Sequence, residues 1–247
     1  MSALIPSLRT WLDAGLAFFY PETCQLCRQG PATPQEGYVC AACRSQVRWL
    51  EPPFCQRCGK PFQGQMTQPF ECANCRGADL PFVTARSAVL TRDPVLEVIH
   101  RYKYWRALWF EPFLAQMLID RAAPGLSQSD WNCLVPVPLH PTKERERAFN
   151  QAERLARRLG TATDLPVHTE WLQRLQPTRT QTQLDREQRQ ANVRRAFAMR
   201  GRTRLHGQRI VLIDDVFTTG ATTTACAQVL QAAGADKVCV WTVARGI

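Results

Sequence analysis

The order of apolar and polar positions along this 247-residue chain predicts an N-terminal helix, then a cysteine-rich stretch, then alternating helices and strands. The opening MSALIPSLRTWLDAGLAFFY carries apolar stretches around a single Arg and Asp13, the pattern of an amphipathic helix packed on the body. After Leu80 the pattern changes: VLEVIHRYKYWRALWFEPFLAQMLIDRA reads as one helix. A strand follows from Asn132 to Val135, broken by Pro136 and Pro138. Asn150, with Glu153 three residues on, predicts a capped helix to Gly160. Gln176 to Arg195 is almost without apolar residues. Arg209 to Ile213 is short, apolar and β-branched, a buried strand of a parallel sheet. Thr222 to Ala233 then has helical spacing, and Gly234 ends it.

That last strand runs into VLIDDVFTTGATT, Val211 to Thr223. Thr218 to Thr222 is turn chemistry, and Gly220 is free to take positive φ. A loop at a helix N-terminus presents free N–H groups and favours phosphate. Carboxylates only accept hydrogen bonds, and the two hydroxyls of a ribose diol donate them. Asp214 and Asp215 followed by hydroxyls and a helix start therefore suit a ribose bearing a phosphate. The plain alternative is an ordinary strand-end turn that happens to hold two acids.

A second anion site is expected in HPTKERERAFNQ, where Lys143, Arg145 and Arg147 alternate before Asn150 at the next helix start. Glu144 and Glu146 also fit a charged surface turn. Net charge is +10, and the region from Lys143 to Arg209 alone holds 15 Arg and one Lys against seven acids, a net +9. Such a region suits pyrophosphate or nucleic acid, or simply a solvated face. Tyr102, Tyr104 and Trp105 beside the basic residues at 100–106 are either stacking platforms for bases or helix-face core.

Eight of the eleven cysteines form four C-x-x-C pairs: Cys24/Cys27, Cys40/Cys43, Cys55/Cys58 and Cys72/Cys75. The pairs recur 31 and 32 residues apart, so one unit is written twice. Four thiolates per unit suit a tetrahedral zinc site; disulfides or redox pairs are the other readings. The repeat favours Cys24/27/40/43 and Cys55/58/72/75, while interleaved pairing stays open. Cys133, Cys226 and Cys239 lie in apolar stretches and are expected in the core. With no run of 18 apolar residues and a poor match to a signal peptide, a cytoplasmic protein is expected.

VLIDDVFTTGATT resembles the phosphoribosyl pyrophosphate (PRPP) signature of type I phosphoribosyltransferases. PVPLHPTKERERAFNQAERLA, with the double cysteine unit before it and TQLDREQRQANVRRAF after it, resembles the ComF family, GntX-like members included. In that family Ala148 is usually Gly. The resemblance implies a small double zinc ribbon (1–80) followed by a doubly wound, parallel-sheet α/β domain (81–247) with its own apolar core. It implies Zn2+ in two four-cysteine sites and Mg2+ with PRPP. Asp214 and Asp215 would take the ribose, with Phe217, Thr218, Thr219, Gly220, Ala221 and Thr222 around the 5′-phosphate. Lys143, Arg145, Arg147 and Asn150 would take the pyrophosphate, joined by Arg179, Arg186 and Arg189 where residues 176–195 form the mobile loop of such enzymes; an exposed linker is the equal alternative for that stretch. It further implies a part in natural competence and DNA use, with single-stranded DNA and uptake machinery at the inner membrane as partners. The alternative is an active phosphoribosyltransferase of nucleotide metabolism, a glycosyltransferase acting on an acceptor the residues do not name.

Overall fold

The computed structural model describes residues 22–62, 64, 68–176, 196–201 and 203–246. The N-terminal helix expected over the first twenty residues, and Arg179, Arg186 and Arg189, lie outside the described residues.

Among the described residues the centre is a parallel four-stranded sheet. Its strands are β1 (Ala85–Leu90), β2 (Cys133–Pro136), β5 (Arg209–Phe217) and β6 (Lys237–Arg245), in the spatial order β1-β6-β5-β2. Their residues are apolar almost throughout, as burial on both faces requires. The helices α2 (Val95–Tyr104), α3 (Glu111–Leu126) and α5 (Gln151–Thr163) cover one face. The other face is covered by α6 (Ala221–Ala232) and an antiparallel pair, β3 (Leu172–Arg174) with β4 (Phe197–Met199). The remaining helices are short: α1 (Ala41–Arg44) in the cysteine region and α4 (Pro141–Arg147) after β2.

The strand holding the acids is longer than its apolar run suggests. It continues to Phe217, because β6 is also nine residues long and pairs with it as far as Phe217↔Arg245. The long helix expected after residue 94 is broken. Arg106 takes φ 53, a 3-10 turn follows at Leu108–Phe110, and Pro112 occupies the first turn of α3. Proline fits there because that N–H has no helical acceptor. The break leaves Lys103 in the last turn of α2. α5 runs past Gly160 to Thr163. Gly160 does not end the helix; a Cβ there would meet Val167 at 2.7 Å and the Leu165 carbonyl at 2.8 Å. Asn150 caps α5 as expected, accepting from the Ala152 N–H at 3.0 Å. Glu153 bonds Arg157 instead of closing a capping box.

The two cysteine units flank the β1 edge. Cys24, Val39, Cys40 and Cys43 share the apolar core of α2 and α3, whereas Cys55, Cys58 and Cys75 share the core of α6. The segment between the units lies along the edge strand, with Leu50 N–H donating to Ala88 O at 3.0 Å and Leu90 N–H to Arg48 O at 2.8 Å. This covers an edge that would otherwise expose unpaired backbone groups. The packing thus crosses residue 80 on both faces of the sheet. No helix among the described residues is long and apolar enough to cross a membrane.

Candidate functional site

In each cysteine unit the four Sγ atoms lie within 4.8 Å of one another, in the sequential grouping Cys24/27/40/43 and Cys55/58/72/75. A tetrahedral zinc site with Zn–S near 2.3 Å has S–S edges of about 3.8 Å. The separations are 3.8 Å for Cys24–Cys43, 3.6 Å for Cys27–Cys40 and 3.7 Å for Cys58–Cys72. None of the eleven cysteines is in a disulfide. Backbone N–H groups point at the sulfurs: Cys40 N–H to Cys24 and Cys72 N–H to Cys55, both at 3.3 Å. N–H donors at Gln29 and Gly30 hold the Cys27 thiol down to about 6. Burial pushes Cys55 up, but the N–H groups of Cys58, Cys72 and Arg57 outweigh it and hold that thiol down to about 7. Cys27 and Cys55 are thus favoured as thiolates, whereas burial pushes Cys43, Cys58 and Cys75 up. The repeat extends to the backbone, since Arg28 and Gly59 occupy matching positions after the second cysteine with φ 60 and φ 66. The two units are the four-cysteine zinc sites of a double zinc ribbon. Cys133, Cys226 and Cys239 are buried in the core, as expected.

The second site is a small open cleft lined by Asp214 and residues 216–223. It lies at the carboxyl ends of β5 and β2. From β2 the chain leads to α5 on one face, and from β5 to α6 on the other. The gap between them is therefore a switch point, where open α/β sheets take ligands. Gly220 caps α6 at φ 79 and turns the chain into the helix, whose first N–H groups have no helical acceptor. Thr218 and Thr219 are exposed and Thr222 is half-buried. The Thr223 hydroxyl is committed inward, donating to Gly220 O at 3.0 Å. The Phe217 ring is buried, edge-on to Phe82 at 6.3 Å.

Adjacent strand residues point to opposite faces, and the acids follow this rule. Asp215, 8% exposed, faces α2 and accepts from Lys103 Nζ at 2.6 Å. Asp214 faces the β3 side, where Arg174 is near enough to act on its charge. Burial first, and the Asp215 charge second, push Asp214 up to about 7; Lys103 and Arg174 oppose the rise. Arg147 lies close enough to Arg174 for their charges to interact. Cations from α2 and β3 thus flank an acid pair on β5, and Arg147 of α4 stands behind Arg174. Lys103 and Arg174 were not legible as site residues, because each reaches the crevice from an element distant in sequence.

The basic stretch after β2 is a short helix. His140 caps it, and Ala148 ends it in the left-handed region at φ 67, its N–H bonded to Glu144 O at 2.7 Å. A non-glycine residue there costs about 1–2 kcal/mol, a cost that glycine would avoid. Along a helix Lys143 and Arg147 share a face and Arg145 does not. Asn150 is buried and its amide is engaged at both ends, with Nδ2 donating to Val137 O at 3.1 Å. The structure places it as a cap that ties the β2 exit to α5.

The chain thus joins a double zinc ribbon to a parallel α/β domain with an acid–threonine turn at its switch point. The double zinc ribbon domain model matches residues 15–76. DNA utilization protein YhgH of Salmonella typhi is 30% identical over 230 residues, 91% of this chain and 97% of that protein. Competence protein F of Haemophilus influenzae is 27% identical over 92% of this chain and 98% of its own length. The chain belongs to this family, the ComF family. A purine phosphoribosyltransferase from Pyrococcus horikoshii is 15% identical over 56% of this chain and 83% of that one, with a TM-score of 0.33.

Proposed function

We propose that the crevice binds PRPP with Mg2+ and that the protein acts in the cytoplasm, serving the natural competence and DNA utilisation for which its relatives are named. The observation that carries this reading is the junction at the end of β5. There two carboxylates, a glycine-capped helix start and two cations, Lys103 and Arg174, meet at one switch point. Asp214 would accept from the ribose hydroxyls, with Asp215 held beside it by Lys103. Residues 217–222 would wrap the 5′-phosphate against the α6 N–H groups. Lys143, Arg147 and Arg174 would face the pyrophosphate, with Arg145 turned away on another face of its helix, and Mg2+ would offset its charge. Positioning and electrostatics supply most of phosphoribosyl transfer. The same site can therefore serve an enzyme or a PRPP-responsive protein.

The test is calorimetry with PRPP and Mg2+. A charge-assisted hydrogen bond contributes about 1.5–3 kcal/mol, so Asp214→Asn with Asp215→Asn should weaken binding roughly a hundredfold or more. Unchanged affinity in a folded double variant would sink the assignment. Pyrophosphate release, screened against bases and amines, separates turnover from binding alone.

A second surface favours contact with single-stranded DNA. At the end of α2, Tyr104 and Trp105 are 60% and 65% exposed. Arg101 lies over the Trp105 ring at 5.5 Å and Arg147 over the Tyr104 ring at 5.3 Å. Flat rings flanked by arginines suit stacked bases and their phosphates. Tyr102, by contrast, is buried against Phe149 and serves the core.

A further inference from the structure

Arg245, at the end of β6, is 5% exposed. Its Nη1 donates to the carbonyls of Phe217 at 2.8 Å and Thr218 at 2.5 Å, the first residues of the cleft loop. Its Nη2 points at Cys58 Sγ, 3.9 Å away, a ligand of the second zinc site. The guanidinium lies 4.6 Å from the centroid of the Phe217 ring, and the following residue, Gly246, donates its N–H to Phe217 O at 2.8 Å. Among the described residues no carboxylate pairs with Arg245. A buried cation needs a counter-charge. Four thiolates around one Zn2+ carry a formal charge of about −2, and that set stands beside this guanidinium. No arginine is bonded in this way to a ligand of the first zinc site among the described residues.

We propose that Arg245 is a positioning residue that couples the second zinc site to the phosphate loop. One end of its guanidinium neutralises the Cys58 thiolate, and the other holds Phe217 and Thr218 in place. Metal in the second unit therefore shapes the loop at residues 217–222, and metal in the first unit does not. The inference rests on the reading that this loop takes the phosphate of a phosphoribosyl ligand. Coupling is reciprocal, so a phosphorylated sugar held by the metal-shaped loop must tighten zinc binding in the second unit alone.

The test follows zinc release from the full-length, zinc-loaded protein to a chromophoric chelator. Changing a residue that bonds a metal ligand costs about 10- to 100-fold in metal affinity. Arg245→Met should speed the loss of one of the two zinc ions by about that factor and leave the other unchanged, and Arg245→Lys should recover part of the loss. Amide exchange across residues 216–223 should rise in Arg245→Met and in Cys72→Ser, but not in Cys27→Ser. If these variants do not fold, the wild-type protein still decides: ribose 5-phosphate should slow one of the two release phases. Equal release from Arg245→Met and wild type, or ribose 5-phosphate that binds without slowing either phase, would overturn the coupling. If ribose 5-phosphate does not bind at all, the phosphate reading fails instead. Release rates and exchange in the variants then judge the Arg245 link on their own.

Discussion

Asp214 carries its charge at a cost. Its carboxyl is pushed up from the ordinary 3.8 to about 7 by burial and by the Asp215 charge. The folded state thus holds a proton more tightly than the unfolded chain, so the stabilisation is complete below pH about 4 and is lost as pH rises through 7. Asp214→Asn removes the ionisation. In the ligand-free protein that variant should be more stable than wild type at pH 8, by on the order of 1–3 kcal/mol, with no gain at pH 4. Thermal melts at the two pH values check this, and an equal difference at both would refute the shifted acid. Ligand binding has the opposite slope. A ribose diol needs the ionised acceptor, so PRPP affinity should rise between pH 6 and 8. The acid pair itself was legible because strand, acids, threonine turn and helix are consecutive. The opposite facing of Asp214 and Asp215 follows from β5 continuing to Phe217, which the apolar run ending at Ile213 does not show.

Elements set by a short-range signal matched expectation, and those set by packing did not. The Asn150 cap and the strand at 133–136 are examples of the first kind. The helix expected as one piece after residue 94 is two, because Pro112 starts a new one and Arg106 turns the chain. That corner has a functional consequence. Arg106 Nη2 bonds Glu146 O at 2.5 Å, tying the end of α2 to α4 and bringing Arg147 over Tyr104. Aromatic groups and arginines from two elements thereby form one exposed surface. Each stacked base contributes about 1–3 kcal/mol, so Tyr104→Ala with Trp105→Ala should weaken single-stranded DNA binding about tenfold or more. Affinity should fall with salt at a log–log slope of about −0.7 per phosphate contacted. PRPP should compete, because Arg147 serves both surfaces. Titration of a labelled oligonucleotide at several salt concentrations, with and without PRPP, reads all three. A double variant that binds as wild type would reject the patch, and indifference to PRPP would reject the shared arginine.

At the scale of the whole molecule the zinc units are part of the α/β fold. The repeat of 31 and 32 residues revealed the ligands and their grouping, but it carries no information on which surface each unit covers. In the structure one unit packs on each face of the sheet, joined by the segment that pairs with the β1 edge. Removing the metals therefore strips apolar cover from both faces at once and frees an edge strand. An α/β domain that kept its own core would keep its melting temperature after chelation. The shared cores instead predict one cooperative transition that shifts as a whole. Structural zinc contributes several kcal/mol of folding free energy at the least, and each kcal/mol moves the midpoint of a domain this size by about 2–4 °C. Chelation under reducing conditions should thus lower the single midpoint by about 10 °C or more, with exchange rising in β1 and α3 together. A second transition at the original temperature, with β5 and β6 still protected, would show that the ribbon and the sheet stand apart. If the midpoint does fall as one, the zinc ribbon and the cleft at the end of β5 are stabilised together, and metal content sets how much of the chain holds that cleft intact.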